Sequence, residues 1–224
     1  MKSQRGVALL VILMIAGVMG AFFALRAFNS AGAERDKVTA TTQALAQAND
    51  ALLGFAIANG RLPCPADPTL VSGAVGAGLA RLFPVGGTCT GGLSGALPWA
   101  TLGLSETDAW GNRYTYRVTK EFADPGTLFG LATLGDSTIR VTSGGAILAS
   151  TLPAVIVSHG KNGSGAYNTN GKQVLPISTD ADEVENSDGN PNFVSKTPTA
   201  TFDDIVTWLS PNILFNRMQK AGKL

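Results

Sequence analysis

The chain is 224 residues long, carries a formal net charge of +1, and contains 45% hydrophobic and only 15% charged residues. Because its 17 Lys and Arg residues are scattered rather than clustered, the sequence does not indicate a nucleic-acid-binding surface. The 27 Gly and 11 Pro residues predict a loop-rich domain with short strands. If a long N-terminal helix is subtracted from the chain, about 165 residues remain, which is enough for one globular domain with a single core.

The first 58 residues are the most distinctive part of the chain. A short basic leader, MKSQRG, precedes an unbroken apolar run from Val7 to Leu25. At about 1.5 Å per residue this run would span roughly 28 Å as a helix, close to the thickness of a bilayer's hydrocarbon core. Mostly apolar residues then recur at three- and four-residue steps, at Val38, Thr42, Leu45, Asn49, Leu52, Leu53 and Ala56. The pattern predicts one helix, transmembrane over 7–25 and amphipathic to about residue 58.

This N-terminus resembles the type IV pilin and type II secretion pseudopilin superfamily. In that family a prepilin peptidase cuts after a leader glycine, and the new, methylated N-terminus begins a filament-forming helix. The resemblance implies cleavage after Gly6, with Val7 as the first mature residue. It also implies three partners: the inner membrane, the prepilin peptidase and other pilin or pseudopilin subunits. The family usually has Glu at the fifth mature residue, where this chain has Val11, and lack of this Glu is typical of minor or tip subunits.

Two other interpretations of the N-terminus remain open. A secretory signal peptide would be cleaved near Ala31-Gly32-Ala33, although the apolar run is longer than usual and Arg26 lies between the run and that site. A plain single-pass anchor with no role in a filament would carry the same apolar run. Lys2 and Arg5 before the run favour a cytoplasmic N-terminus and a periplasmic head.

A long loop follows the helix. Asn59-Gly60 predicts the end of the helix, and several prolines exclude its continuation. Residues 61–98 are rich in Gly, Ala and Pro, and the only two cysteines, Cys64 and Cys89, lie among them. In an oxidising periplasm a disulfide between these cysteines would close the loop. Metal binding is the alternative, but neither a second cysteine pair nor a neighbouring histidine supports it.

Residues 108–118, DAWGNRYTYRV, predict a turn at Trp110-Gly111-Asn112 followed by a strand. The residues on one face of that strand are Tyr114, Tyr116 and Val118. DAWGNRYTY also resembles the D-P-W-G-x-P-Y-x-Y signature of the major pseudopilin of type II secretion, with Ala109 and Arg113 in place of the two prolines. The resemblance implies that the segment is structural and leads into the first strand of a sheet.

The remaining elements are short. A strand is predicted at 137–142, and AVIVSHG after Pro153 is typical of a buried central strand. A further strand is predicted at 205–209, and Ser210-Pro211 would begin a C-terminal helix. The apolar side of that helix is predicted to contain Ile213, Leu214, Phe215 and Met218.

Residues 158–208 carry the main chemical hypothesis. SHGKNG at 158–163 and DDIVTW at 203–208 resemble the family's C-terminal pattern, S-x-G-x-D/N-G and then D-I-x-x-W, in which the intervening loop wraps a calcium ion. The matching residues are Ser158, Gly160, Asn162, Gly163, Asp204, Ile205 and Trp208. The resemblance therefore implies a Ca²⁺ site in which Asp204 takes part. The loop is longer here than in the family, so the complete ligand set does not transfer.

The intervening loop is also acidic in its own right. Within residues 180–190 the oxygen-bearing side chains are Asp180, Asp182, Glu183, Glu185, Asp188 and Asn190. Since Ca²⁺ takes six to eight oxygen ligands, such a group is a candidate cation site. The predicted ligands are Asp180, Asp182, Asp188, Asp203 and Asp204. A solvated acidic loop without an ion is the alternative interpretation.

Catalytic chemistry is not indicated. The single histidine, His159, follows an apolar strand, and the sequence lacks a G-x-S-x-G nucleophile motif, a Walker loop and the cysteine and histidine spacing of a zinc site. We therefore expect His159 to have a structural role and the protein not to be an enzyme.

Together these patterns predict an α+β, pilin-like fold in which a long N-terminal helix packs on a small antiparallel β-sheet with long loops. The predicted parts are a leader at 1–6, a transmembrane and assembly helix at 7–58, and a periplasmic head at 59–224. The predicted function is a structural subunit of a type II secretion or type IV pilus-type filament in the bacterial inner membrane. The alternative is a membrane-anchored periplasmic accessory or binding protein that does not polymerise.

Overall fold

The computed structural model describes residues 3–84, 86–126 and 128–224, with side chains described at Met14, at Met19 and from Gly32 onward. The chain divides into two compact units, Met1–Thr39 and Ala40–Leu224. The helices are α1 Ser3–Asn59, α2 Trp99–Leu102, α3 Lys120–Ala123, α4 Ala181–Glu185 and α5 Pro211–Lys220. The strands are β1 Ser94–Ala96, β2 Thr115–Val118, β3 Ser137–Arg140, β4 Ile147–Leu152, β5 Ala154–Ser158, β6 Asn192–Val194 and β7 Ile205–Leu209.

The first unit consists of the N-terminal part of α1, and its described side chains are largely exposed. Among the described residues, no helix combines the length and the hydropathy that crossing a membrane requires. Apart from Met14 and Met19, the predicted span from Val7 to Leu25 lies outside the residues whose side chains are described. The side chains at the predicted cleavage site after Gly6 also lie outside that part of the chain.

In the second unit, α1 contributes one face to the core. The buried residues on this face are Thr41, Leu45, Ala48, Leu52, Leu53 and Ala56. Thr42, which we expected on this face, is exposed, because its neighbour Thr41 is turned inward and accepts the Ala109 backbone N–H at 3.3 Å. The helix ends at Asn59, where Gly60 adopts a left-handed φ of 72°. The Asn59-Gly60 pair is thus the end of the helix, as its sequence predicts.

The strands form two sheets rather than the single antiparallel sheet predicted. The first sheet is antiparallel throughout, with the strand order β1-β2-β5-β7. The second has the order β4-β3-β6, in which β3 is antiparallel to β4 and parallel to β6. The α+β class is confirmed. The second sheet was not expected because β6 arises within a segment that the sequence predicts as a polar loop.

Strand β5 lies at the centre of the head and is buried on both faces, which confirms its prediction as a central strand. Ile156 points into the core cluster that contains the α1 residues. Val155 and Val157 point the other way and pack with Ile139 and Phe193 of the second sheet. Each such side chain stabilises the fold by about 1.5–3 kcal/mol relative to an exposed position. The first sheet therefore lies between the α1 face and the second sheet.

The C-terminal helix α5 begins at Pro211, with Ser210 at the N-cap position, as predicted. The Ser210 side chain makes no capping hydrogen bond. Leu214 and Met218 are buried in the core, but Ile213, expected on the same side, is 52% exposed. The buried face of α5 is therefore narrower than the sequence predicts.

The loop at residues 60–93, here named the disulfide loop, is closed covalently. Cys64 and Cys89 form a disulfide with a Cα–Cα distance of 5.6 Å, which confirms the predicted bond. Closing a loop of this size is worth roughly 3–4 kcal/mol on the chain-entropy estimate. The Arg81 guanidinium adds hydrogen bonds to the carbonyl oxygens of Pro65 at 2.8 Å and Ser94 at 3.0 Å. The disulfide and the Arg81 side chain therefore hold the described part of this loop together.

Candidate metal centre

Three segments singled out in the sequence meet at one edge of the first sheet. In chain order they are 108–116, 158–163 and 203–208. Thr115, at the start of β2, pairs with Val157 near the end of β5. Ser158, the last residue of β5, pairs with Ile205 at the start of β7. Because these strands are antiparallel neighbours, the segments before β2, after β5 and before β7 all lie at this edge. The acidic loop, residues 159–204, starts and ends there.

The Asp108 side chain connects the segment 108–116 to Ser158 at the end of β5. Its Oδ1 accepts the backbone N–H groups of Trp110 and Asn112, both at 2.9 Å, which fixes the predicted turn. Its Oδ2 accepts the Ser158 hydroxyl at 2.6 Å. Burial raises the pKa of Asp108, while the Ser158 hydroxyl and the backbone N–H groups oppose the rise. A buried carboxylate with these bonds holds the turn against the end of β5.

Two glycines allow the chain to fold closely over this edge. Gly160 has φ +58°, and a Cβ there would lie 2.4 Å from the Asp203 carbonyl oxygen. Gly163 has φ +64°, and a Cβ there would lie 2.7 Å from the Asn112 side chain. The Asn112 amide also donates to the Gly160 carbonyl at 3.3 Å. Glycine is therefore required at both positions for conformation as well as for space.

The acidic loop brings three carboxylates together. One oxygen from each of Glu183, Asp203 and Asp204 lies within 4.8 Å of the others. Asn162 links two of them: its side-chain amide donates to Glu183 Oε1 at 2.7 Å, and its backbone N–H donates to Asp203 Oδ2 at 3.0 Å. We name these three residues the carboxylate cluster. Three negative charges at this separation repel one another unless a proton or a cation neutralises them.

Asp204 is the most deeply buried member, with 4% exposure. Its Oδ2 accepts the Asn186 amide at 2.8 Å, whereas Oδ1 has no hydrogen-bond partner among the described residues. Burial raises the pKa of Asp204 well above its ordinary value; the Asn186 bond opposes this rise, and the charges of Glu183 and Asp203 add to it. A buried carboxylate oxygen without a partner carries a desolvation penalty that a bound cation would remove.

His159 packs against Asp204 but does not neutralise it. Its Nδ1 lies 3.7 Å from Asp204 Oδ1, beyond hydrogen-bond distance, and its Nε2 lies 2.8 Å from the Thr115 hydroxyl. Burial lowers the pKa of His159 to about 4, so the ring is neutral at neutral pH. The expected structural role of His159 is consistent with its complete burial beside β2.

The ligand atoms of the carboxylate cluster are of the type that hard cations prefer. All three side chains are carboxylates, the ligands that Ca²⁺ prefers, and they come from both ends of the acidic loop. Among the described residues, no hydrogen bond occupies Asp204 Oδ1, so this oxygen could coordinate an ion. The arrangement can therefore hold either a shared proton or a cation such as Ca²⁺.

The predicted ligands divide into two groups. Asp203 and Asp204 lie in the carboxylate cluster. Asp180 caps α4 by accepting the Asp182 N–H at 3.0 Å and also accepts the Thr201 hydroxyl at 2.6 Å. Asp182 forms an ion pair with Lys196, and Asp188 accepts hydrogen bonds from Asn190. These three side chains lie outside the cluster, and their oxygens are engaged by other groups.

Glu183 is the cluster member that the predicted ligand set lacks. It lies in α4, beside Asp182, and is 1% exposed. Asp180 at the N-cap sets the phase of this short helix, and that phase turns Glu183 inward. The sequence did not predict a helix at 181–185, so it could not indicate which of these acidic side chains turns inward.

Comparisons of this chain with protein-family models, with curated proteins and with solved structures found no match.

Proposed function

We propose that the protein is a pseudopilin-like or minor pilin-like structural subunit of a filament of the type II secretion or type IV pilus type. A prepilin peptidase would remove residues 1–6, and the apolar part of the helix would stay in the inner membrane. The head would lie in the periplasm. The mechanism is assembly: the N-terminal helices of neighbouring subunits pack together, and the heads make contacts around them.

One observation carries this proposal. The segments that resemble pseudopilin motifs, at 108–116, 158–163 and 203–208, are far apart in the sequence but adjacent in the head. The Asp108–Ser158 bond and the pairing of Ser158 with Ile205 connect them directly. Resemblances that arose by chance in three segments would not be expected to meet at one edge of one sheet.

Val11 supports a minor or tip position within such a filament. The family usually has Glu at this position, and there the carboxylate pairs with the terminal amine of a neighbouring subunit. A valine lacks that charge, so this chain would not make that pairing. A subunit of this kind suits the end of a fibre or its initiation better than a repeated position along it.

We further propose that the carboxylate cluster holds Ca²⁺, with Asp204, Asp203 and Glu183 as protein ligands. The ion would supply the positive charge that three converging carboxylates lack. Asp204 and Asp203 precede β7, and Glu183 lies in the middle of the acidic loop. These side chains would therefore hold the loop to the sheet and keep the Gly160 turn in place.

Processing after Gly6 tests the filament proposal. We expect co-expression with a prepilin peptidase to shorten the wild-type chain by its first six residues, as measured by intact mass. Gly6→Leu should abolish this shortening, because the peptidase requires a small residue at the cut. Gly17→Leu, in the apolar run, is the matched control and should still be processed.

The same experiment separates the alternatives. A plain membrane anchor would keep its full mass in both variants and in the wild-type chain. A secretory signal peptide would give a shorter product near residue 34 that Gly6→Leu does not change. Either result would contradict the proposal.

A further inference from the structure

Two buried polar atoms face each other beside the carboxylate cluster. His159 Nδ1 and Asp204 Oδ1 lie 3.7 Å apart, and both side chains are fully buried. Neither atom has a hydrogen-bond partner among the described residues. Buried polar atoms without a partner are uncommon in folded proteins, and two that face each other point to one partner that both share.

The other ring nitrogen of His159 indicates what kind of partner this is. The ring is neutral, so only one of its nitrogens carries a hydrogen. We assign this hydrogen to Nε2, which lies 2.8 Å from the Thr115 hydroxyl, because an Nδ1–H would be too far from Asp204 Oδ1 to donate to it. The lone pair of Nδ1 then faces a carboxylate oxygen. Two electron-pair donors in this arrangement are suited to a cation between them.

The distance between the two atoms suits a metal ion better than a shared proton. An N–H···O hydrogen bond is about 2.7–3.2 Å long, which is shorter than the 3.7 Å between His159 Nδ1 and Asp204 Oδ1. Bonds of about 2.1 Å from a metal ion to nitrogen and to oxygen, as Zn²⁺ forms them, span that distance at an angle of about 120°. Imidazole nitrogen is a common ligand of transition-metal ions, whereas Ca²⁺ takes oxygen ligands.

Both facing side chains are held in place by another residue. The Thr115 hydroxyl contacts His159 at Nε2, and the Asn186 amide donates to Asp204 Oδ2 at 2.8 Å. Metal ligands in proteins are usually oriented by hydrogen bonds of this kind. The other two carboxylates of the cluster have oxygens within 4.8 Å of an Asp204 oxygen and would close on an ion bound there.

We propose that His159 Nδ1 is a nitrogen ligand at the carboxylate cluster, so that the site binds a divalent transition-metal ion such as Mn²⁺ in competition with Ca²⁺. This inference rests on the proposal that the cluster holds a cation, and it adds a further ligand and a further class of ion. The carboxylates suit both ions, whereas the imidazole nitrogen favours the transition-metal ion. Ca²⁺ would use the carboxylates alone.

The chain contains one histidine, which permits a direct test. The full-length protein, purified in detergent with a tag that lacks histidine, is loaded with Mn²⁺ and measured by pulsed EPR. One sample has natural nitrogen, and the other has ¹⁵N in histidine only. We expect the coupling of a directly bound nitrogen, and we expect it to change from ¹⁴N to ¹⁵N in the labelled sample. Mn²⁺ bound without coupling to histidine would overturn the inference and would favour a water molecule between the two atoms.

His159→Gln separates the two ions. Glutamine can still bond to the Thr115 hydroxyl, but it places no atom at the position of Nδ1. We expect Mn²⁺ to bind this variant at least about tenfold more weakly, because removing even a group that orients a metal ligand has an effect of that order. The Ca²⁺ affinity should be retained. Titration of the EPR signal of free Mn²⁺, with and without competing Ca²⁺, measures both affinities.

Two further variants are the controls. Asp204→Asn should lose both ions, which excludes binding of Mn²⁺ elsewhere on the chain. Asp188→Asn, at an exposed acidic residue of the same loop, should lose neither. An equal loss of both ions in His159→Gln, or no loss of Mn²⁺, would contradict the nitrogen ligand. If His159→Gln does not fold, the isotope experiment on the wild-type chain still decides.

The outcomes distinguish failure of this inference from failure of the proposals beneath it. A rise in Tm with Ca²⁺ but no binding of Mn²⁺ would overturn the nitrogen ligand and leave the calcium site intact. No binding of either ion would overturn both. The filament proposal is tested separately, by processing after Gly6, and does not depend on which ion binds.

Discussion

The disulfide loop and the acidic loop differ in what holds a long connection in place. Both are long connections rich in turns, and both lie against the same antiparallel sheet. The disulfide loop is held by a covalent bond and by the Arg81 guanidinium, which donates to the carbonyl oxygens of Pro65 in that loop and of Ser94 at the start of β1. The acidic loop has no covalent closure; its two ends approach each other at the carboxylate cluster, where one buried oxygen of Asp204 has no hydrogen-bond partner among the described residues.

The difference shows which loop is complete without a ligand. A disulfide constrains the unfolded chain whatever the solution contains, as long as it stays oxidised. Three converging carboxylates stabilise a loop only when a proton or a cation neutralises them. We therefore expect the disulfide loop to respond to reductant, and the acidic loop to respond to calcium.

Removing the disulfide should have the largest effect. We expect Cys64→Ala with Cys89→Ala to lower the free energy of unfolding by roughly 3–4 kcal/mol, because the unfolded chain regains the freedom of a closed loop. Urea denaturation of the full chain in detergent, followed by Trp fluorescence, measures it. Reduced wild-type protein is the control and should match the variant. A loss below about 1 kcal/mol would show that the other contacts suffice to hold this loop.

Calcium should have the next largest effect, confined to the acidic loop. At a free concentration about 100 times the Kd, a ligand that binds only the folded state stabilises it by about 2.7 kcal/mol. We expect calcium to raise the Tm of the wild-type head, and chelation to reverse the rise. Asp204→Asn should abolish the response.

Asp182→Asn provides the matched control for the calcium experiment. Asp182 lies in the same loop but is paired with Lys196, outside the carboxylate cluster. This variant should keep the calcium response although its stability is lower. Equal responses in the Asp204→Asn and wild-type chains, or none in the wild-type chain, would contradict a cation at the cluster.

A smaller effect is expected from the turn that carries the acidic loop over the sheet. Gly160→Ala should cost roughly 2 kcal/mol, since the alanine would have both an unfavourable φ and a clash with the Asp203 carbonyl oxygen. Gly189→Ala has a similar positive φ, +80°, but open space, and should cost about 1 kcal/mol. Equal losses in urea denaturation would show that the close approach at Gly160 is unimportant.

The smallest expected effect is a pH dependence at Asp108. Burial raises its folded-state pKa above the ordinary value of 3.8, so the folded protein keeps this proton to a higher pH than the unfolded chain. The stability linked to that proton is present at low pH and is lost as pH rises through the folded-state pKa. As pH rises through the folded-state pKa of Asp108, the wild-type protein should therefore lose stability relative to Asp108→Asn. Asp36→Asn, at an exposed residue, is the control, and a difference independent of pH would contradict the shift.

The sequence was most informative where structure depends on neighbours along the chain. Apolar continuity predicted β5, the Asn59-Gly60 pair predicted the end of α1, and the two cysteines predicted their own bond. Each of these features follows from local conformation or from the lack of an alternative partner. The exposed Ile213 is an exception, because helical periodicity does not define how wide the buried face is.

The carboxylate cluster was only partly predictable for the opposite reason. Asp204 was predicted from the resemblance to a family pattern, but composition alone could not distinguish Glu183 from Asp182, the preceding residue of α4. The choice depends on Lys196 and Asn162, which reach these side chains from other parts of the fold. The parallel pairing of β6 with β3 was unpredictable for the same reason.

The proposed function requires an N-terminal helix that stays attached to the mature protein. The most direct test is N-terminal sequencing of the protein extracted from the membranes of cells that express the prepilin peptidase. We expect a single sequence that begins at Val7. A soluble protein that begins near residue 34 would contradict it.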